Sequence, residues 1–274
     1  MRLCILIASL AAALHAQDPR EIVRRAIELD RRNASQEQNY AYLQREETRE
    51  LDASDAPRKV TIRTVDVRMI EGSPYRKLVA RNDRPISAEE QKFEEDKLQF
   101  NADARRKETP EQRRRRIAEW KRREERRRGP LDEVPDAYNF KLAGEESIGG
   151  TPCYVIEATP RPGFKPKSST AGVLTVLAGR IWIAKKDNGW VKAEMEARDS
   201  VTLGGFLLRL SKGSRIVIEQ TNVGEGIWLP KTAEIKFSAR LLLVKSLREH
   251  LLFQFSDYRK TAGESTVAGR NGAQ

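Results

Sequence analysis

The sequence predicts an α+β fold in which a strongly curved, mostly antiparallel sheet forms a half-open β-barrel. Three observations predict it. An amphipathic helix opens the mature chain, long strands with alternating polarity fill most of the remainder, and a charged helical hairpin interrupts them at residues 87–128. A curved sheet that wraps around helices leaves an apolar hollow on its inner side.

Residues 1–16 have the pattern of a secretory signal peptide. Arg2 precedes an apolar run over residues 3–14, and small residues follow up to Ala16, where we expect cleavage. The apolar run is too short to span a bilayer. We therefore predict export to the periplasm. Once the signal peptide is removed, Cys153 has no second cysteine with which to form a disulfide.

The charge of the chain is concentrated in one segment. The net charge of the 274 residues is +11, and residues 105–128 hold thirteen basic and five acidic side chains, a local +8. Because an exported protein does not meet nucleic acid, we do not expect this basic segment to bind nucleic acid. We predict a single domain over residues 17–260, into which the hairpin is inserted, and a disordered tail over 261–274.

Helix signals stand at three places. Asp18 precedes a proline, and Glu21 is placed to close a capping box, so we expect a helix to about Asn33. Ser87 and Thr109 begin two further capping boxes, which predict the two arms of the hairpin. The Gly129–Pro130 pair predicts that the second arm stops at residue 128.

Strand signals fill the chain from residue 39 to 80 and again after Pro135. A switch in the alternation of apolar residues predicts a β-bulge near Thr64. The Asn188–Gly189 pair predicts a two-residue hairpin turn. That turn would place Trp182 opposite Met195, and Ala184 opposite Ala193.

The sequence contains no pattern of a catalytic or metal site. It has no Cys/His metal-binding spacing, nucleophile elbow or phosphate loop, so we predict neither a metal nor a cofactor and expect a protein that is not an enzyme. His250 is the one histidine left after export, and its apolar flanks favour a structural role on a strand.

Four segments carry a resemblance to a known family. The DPREIV helix start, YVIEATPRPG, GRIWIAKKDNGWV and GIWLPKTAEI resemble the LolA-like outer-membrane lipoprotein-sorting superfamily, in particular its poorly characterised branch. The resemblance covers most of the mature chain in order of elements. It implies a half-open antiparallel barrel, helices that act as a lid, and a cavity for acyl chains. The long arginine-rich hairpin departs from that pattern.

Two functions follow from this reading. The first is a periplasmic protein that binds acyl chains or lipoproteins and carries them toward the outer membrane. The alternative is an envelope sensor or protein-interaction module that uses the same fold without transport. The residues that we expect to line an acyl-chain cavity are Trp182, Met195, Trp228, Phe206, Leu207, Tyr40 and Tyr42.

The basic hairpin has three readings. The first is a solvated helix pair without a specific partner. The second is a docking surface for anionic lipid headgroups, and the third is a docking surface for an acidic protein. The residues that would form the docking surface are Arg113, Arg114, Arg116, Lys121, Arg123 and Arg127.

Overall fold

The computed structural model describes residues 18–168, 170–203, 208–241 and 245–261. The predicted signal peptide and residues 262–274 of the predicted tail lie outside this part of the chain and stay predictions. The helices are α1 (Pro19–Glu37), α2 (Ala88–Arg106), α3 (Pro110–Ala137) and a 3₁₀ helix (Thr170–Thr175). The strands are β1 (Tyr40–Leu51), β2 (Pro57–Ile70), β3 (Ser73–Arg81), β4 (Arg84–Pro85), β5 (Tyr138–Ile148), β6 (Thr151–Pro160), β7 (Leu177–Ala184), β8 (Trp190–Ala197), β9 (Val201–Leu203), β10 (Leu208–Leu210), β11 (Arg215–Asn222), β12 (Trp228–Leu241) and β13 (Lys245–Lys260).

The three α-helices begin where the sequence predicts. The Asp18 carboxylate accepts a hydrogen bond from the backbone N–H of Arg20 at 3.0 Å and caps α1. Ser87 and Thr109 each form the predicted capping box with the residue three positions later. Glu21 does not close a capping box, because its carboxylate pairs with two arginines in the next turn of α1.

The third helix extends beyond its predicted end. The Gly129–Pro130 pair lies inside α3, which continues to Ala137. Gly129 does not adopt the positive φ that ends a helix. Leu131 and Val134 pack into the hydrophobic core with α1 and the sheet, so burial of this last part outweighs the local stop signal. The first helix likewise runs one turn past its predicted end.

The strands form one antiparallel sheet that stays open. Their order is β4-β3-β2-β1-β13-β12-β11-β8-β7-β6-β5, and β10 joins β9 to the end of β12. Within the described residues the edge strands β4 and β5 do not pair with each other. The prediction of an α+β fold with a curved antiparallel sheet is confirmed. The β-bulge is also confirmed, since the register of β2 on β3 shifts between Thr64 and Val65.

The β7–β8 hairpin has a different register from the predicted one. Its loop is wider than two residues, because the backbone N–H of Asn188 donates to the carbonyl of Ala184 at 3.0 Å. The indole of Trp228 donates to Asp187 at 3.0 Å and holds this loop. The observed pairs are Trp182 with Lys192, Ile181 with Ala193 and Gly179 with Met195, in place of Trp182 with Met195 and Ala184 with Ala193.

Strand alternation divides the sheet into two faces. We call the face that contacts α1 the inner face, and the opposite one the outer face. Ile181 and Ile183 of β7 lie on the inner face, where they join Val23 and Ala26 of α1 in the main core. Trp182 lies between them in sequence and therefore points to the outer face.

The arms of the predicted hairpin lie in different places. Helix α2 packs through Leu98 against Tyr75, which alternation places on the outer face of β3. Helix α3 starts at the turn between β2 and β3 and runs to α1 on the inner side. The two helices are joined by a short turn at 107–109 and then diverge. The tip of the β2–β3 hairpin therefore lies between α2 and the start of α3.

Candidate functional site

The inner face carries a continuous apolar surface beside α1. Ile181 opposes Ala193, Ala193 opposes Ile218, and the same row continues through β12 and β13. Neighbouring positions two residues away on each strand share this face. We call the following set the inner apolar surface: Met195, Ile216, Ile218, Ala233, Ile235, Phe237, Leu251, Phe253 and Phe255.

The inner apolar surface is only partly covered. Ile183, beneath α1, is fully buried, whereas Ile218 is 37% exposed. The other members of the surface are partly exposed. Folding has therefore left apolar area in contact with water on the inner side of a curved sheet, and an apolar ligand could cover it.

Four aromatic side chains close one end of this surface. The ring of Tyr42 lies 5.9 Å from that of Phe255 and 5.3 Å from that of Tyr258, and Tyr40 meets Tyr258 edge to face at 6.3 Å. The Tyr258 hydroxyl donates to the carbonyl of Pro230 at 2.6 Å. Burial raises the pKa of both Tyr42 and Tyr258 well above the ordinary value, so both phenols stay neutral.

A charged strip adjoins the apolar surface on β1, β2 and β3. Glu46 on β1 is directly opposite Phe253 on β13 and opposite Arg63 on β2. Its carboxylate accepts hydrogen bonds from Arg63, Arg76 and the side-chain amide of Gln44. Glu46 and Gln44 are buried, whereas the side chains of Arg63 and Arg76 are 60% and 43% exposed. The inner face thus changes from apolar to cationic between adjacent strands.

Helices α1 and α3 are tied together over the aromatic end. Arg128 of α3 pairs with Asp30 at 2.8 Å and with Glu37 at 3.1 Å. Asp30 also accepts a hydrogen bond from Gln220 of β11 at 2.9 Å, which fixes α1 on the inner face. Burial raises the pKa of Glu37, and the guanidinium of Arg128 opposes that rise.

Two of the predicted docking arginines hold the fold together instead. With Arg105 they form what we call the arginine clamp: Arg105, Arg113 and Arg116. Arg105 donates to the carbonyls of the β2–β3 turn at 2.9–3.3 Å. Arg113 pairs with Glu71 at 2.9 Å. Arg116 donates to the carbonyl of Glu71 at 2.9 Å and pairs with Glu108. The clamp attaches the start of α3 to the sheet.

The remaining predicted docking residues lie on α3 outside the clamp. Arg114, Lys121 and Arg123 are exposed and form no ion pair with any described residue. Arg127 is exposed and pairs with Glu124 in the preceding turn. Outside the clamp, the predicted docking residues are therefore exposed basic side chains on different sides of one helix.

The structure separates the predicted cavity residues into three groups. Met195, Tyr40 and Tyr42 lie on the inner face at or next to the inner apolar surface. Trp182 lies on the outer face, where its indole donates to Glu146 at 2.8 Å and Lys192 lies over its ring. The other predicted lining residues are Trp228, which is buried against the β7–β8 loop, and Phe206 and Leu207, which lie outside the described residues.

The sequence argument missed most of the surface. Ile218, Phe253 and Phe255 belong to the alternating stretches RIVIEQ and HLLFQF, in which the alternation itself was visible. Strand pairing across the sheet decides which of the two alternating sets of residues lies on the inner face. Arg63 and Arg76 gave no local signal, because they meet Glu46 only through pairing of three strands.

The described residues contain no group of three or more His, Cys, Asp or Glu side chains that could hold a metal. His250 lies on β13 and meets Glu234 of β12 at 2.8 Å, which gives it a structural partner. None of the described helices has the length and apolar character that crossing a bilayer requires.

Solved structures with low similarity to this chain include two proteins described as lipoprotein-sorting or LolA superfamily proteins and a MucA/MucB complex. A putative outer membrane lipoprotein-sorting protein domain from Vibrio parahaemolyticus has 11% identity and a TM-score of 0.35, over 88% of this chain and 94% of that one. A LolA superfamily protein from Nitrosomonas europaea has 13% identity and a TM-score of 0.30, over 89% and 93%. The MucA/MucB complex of Pseudomonas aeruginosa gives 9% identity and a TM-score of 0.24, over 90% and 100%. No protein-family model and no curated protein match the chain. Because these similarities are low, the function has to be argued from the residues of the chain itself.

Proposed function

We propose that this chain is a non-catalytic periplasmic protein that binds the acyl chains of lipids or lipoproteins and carries them toward the outer membrane. The partly exposed inner apolar surface supports the proposal. Each methylene group that leaves water on binding contributes about 0.8 kcal/mol. Because this burial free energy does not depend on direction, acyl chains of different length can each bind to the surface without specific polar contacts.

The curvature of the sheet and the position of the helices fit such a ligand. Helices α1 and α3 cover the aromatic end, and the rest of the inner apolar surface remains accessible. From Ala193 on β8 to Glu46 on β1 the row crosses five neighbouring strands. At about 4.8 Å between strands, the row is roughly 19 Å long. A long acyl chain can lie along it.

Native mass spectrometry tests the proposal. Mature protein purified from a periplasm should carry co-purified acyl species, and apo protein should take up added phospholipid or lipopeptide. A clean apo mass, with no uptake of either ligand, would exclude the carrier function.

The exposed basic side chains of α3 support a second candidate, an interaction module or envelope sensor. Arg114, Lys121 and Arg123 are exposed and have no acidic partner among the described residues. Cosedimentation with anionic vesicles distinguishes the docking targets. Salt-sensitive binding that is lost on changing all three residues to glutamine supports a membrane surface. Capture of an acidic protein with no lipid ever recovered supports the sensor.

A further inference from the structure

We propose that Arg63 and Arg76 bind the anionic head group of an amphiphile whose acyl chain lies on the inner apolar surface. This inference rests on the proposed acyl-chain binding and adds the chemistry of the ligand's polar end. The ligand class is therefore a long-chain carboxylate or a phosphate-bearing lipid, rather than a neutral hydrocarbon.

The two arginines adjoin the apolar surface directly. Phe253, Glu46 and Arg63 are consecutive members of one cross-strand row. Since neighbouring strands are about 4.8 Å apart, the backbone of Arg63 lies roughly 10 Å from that of Phe253. An acyl chain that ends near Phe253 brings its head group within reach of both guanidinium groups.

Both guanidinium groups retain donors for a ligand. Each has five N–H donors in a fixed planar arrangement. Among the described contacts, Arg63 donates to Glu46 only, and Arg76 donates to Glu46 and Gln44. Their exposed remainder matches the two oxygens of a carboxylate or phosphate, for which arginine forms paired hydrogen bonds.

The arginines on the two faces of these strands differ in how many carboxylates they contact, and the inner pair contacts the fewest. On the outer face of β1, Arg45 and Arg49 share two carboxylates, those of Glu47 and Asp83. A second outer pair of arginines, at 68 and 259, likewise contacts two carboxylates.

On the inner face, Arg63 and Arg76 share the single carboxylate of Glu46 among the described residues. One positive charge is left without compensation beside an apolar surface. This is the arrangement that an anionic head group would complete.

Two probes with the same tail test the inference: a long-chain fatty acid, ionised at pH 8, and the corresponding fatty alcohol, both below their micellar concentrations. The wild-type protein should bind both, and the acid more tightly. Arg63→Gln and Arg76→Gln should each weaken binding of the acid about 1.5- to five-fold, the range for exposed ion pairs, and leave the alcohol unchanged. Arg58→Gln is a matched control, because Arg58 is an exposed arginine of the same strand, five residues from Arg63, with no ion pair among the described residues.

Glu46→Gln gives a change of opposite sign. Removal of the internal carboxylate frees both arginines, so the acid should bind more tightly while the alcohol does not. A loss of folding cannot produce that gain. If the wild type binds neither probe, the proposed function itself fails. If it binds both equally, and neither arginine variant separates them, the acyl-binding function stands and the head-group site is wrong.

Discussion

Ile218 offers the sharpest test of the inner apolar surface. It lies on β11 between Ala193 and Ala233 and is 37% exposed, so an acyl chain would cover about that fraction of it. Burial of a whole isoleucine side chain contributes about 1.5–3 kcal/mol, and 37% of this is about 0.6–1.1 kcal/mol. Ile218→Ser should therefore weaken binding of a neutral acyl probe about three- to six-fold.

The assay is a fluorescence titration with a neutral acyl probe, together with the melting temperature of each variant. Val60→Ser is the control, because Val60 is 45% exposed and alternation places it on the outer face of β2. It should leave binding unchanged. Equal losses of affinity in the two variants would refute the assignment of the binding face. Wild-type affinity in a well-folded Ile218→Ser protein would refute it as well.

Three further predictions concern the framework of the site. Ile183→Ala should lower the free energy of unfolding by about 2–5 kcal/mol in a denaturant titration, because the side chain is fully buried beneath α1. Glu108→Gln should destabilise the protein at neutral pH, since it breaks the ion pair with Arg116. That hydrogen bond lowers the pKa of Glu108 below 4.5, so the stabilisation is present above this pH and is lost as the pH falls through the lowered value. The difference in melting temperature between the variant and the wild type should therefore shrink in acid, and a constant difference would contradict the pair's role. Gly179→Ala should destabilise by about 3 kcal/mol, because the new methyl group would overlap the backbone of β8. A Gly179→Ala protein with the wild-type melting temperature would contradict the packing argument.

Local signals were sufficient for part of the fold. The caps at Asp18, Ser87 and Thr109 depend on contacts within three residues, and the sequence predicts them correctly. The bulge at Thr64 depends on one strand's own alternation. The end of α3 could not be predicted in this way, because burial of Val134 against distant elements decides it.

The candidate site needed information that lies across the sheet. The indole of Trp228, 39 residues beyond Gly189, contacts the β7–β8 loop, and the register of that hairpin differs from the one its turn sequence favours. The register in turn decides that Met195 and Ile218 share a face. The basic segment illustrates the same limit, since Arg105 and Arg116 each donate to backbone carbonyls more than thirty residues away.

Helix α3 fixes a width as well as covering one end of the site. Its 28 residues correspond to about 42 Å at 1.5 Å per residue. One end is attached at the β2–β3 turn by Arg116, and Arg128 ties its far half to α1. A rigid strut of this kind sets the gap between two parts of the sheet that are far apart in strand order. Widening of that gap would require the helix to bend at Pro130 and Pro135, where it lacks backbone N–H donors. If the chain carries acyl ligands as proposed, this helix would limit the girth of a cargo more than its length.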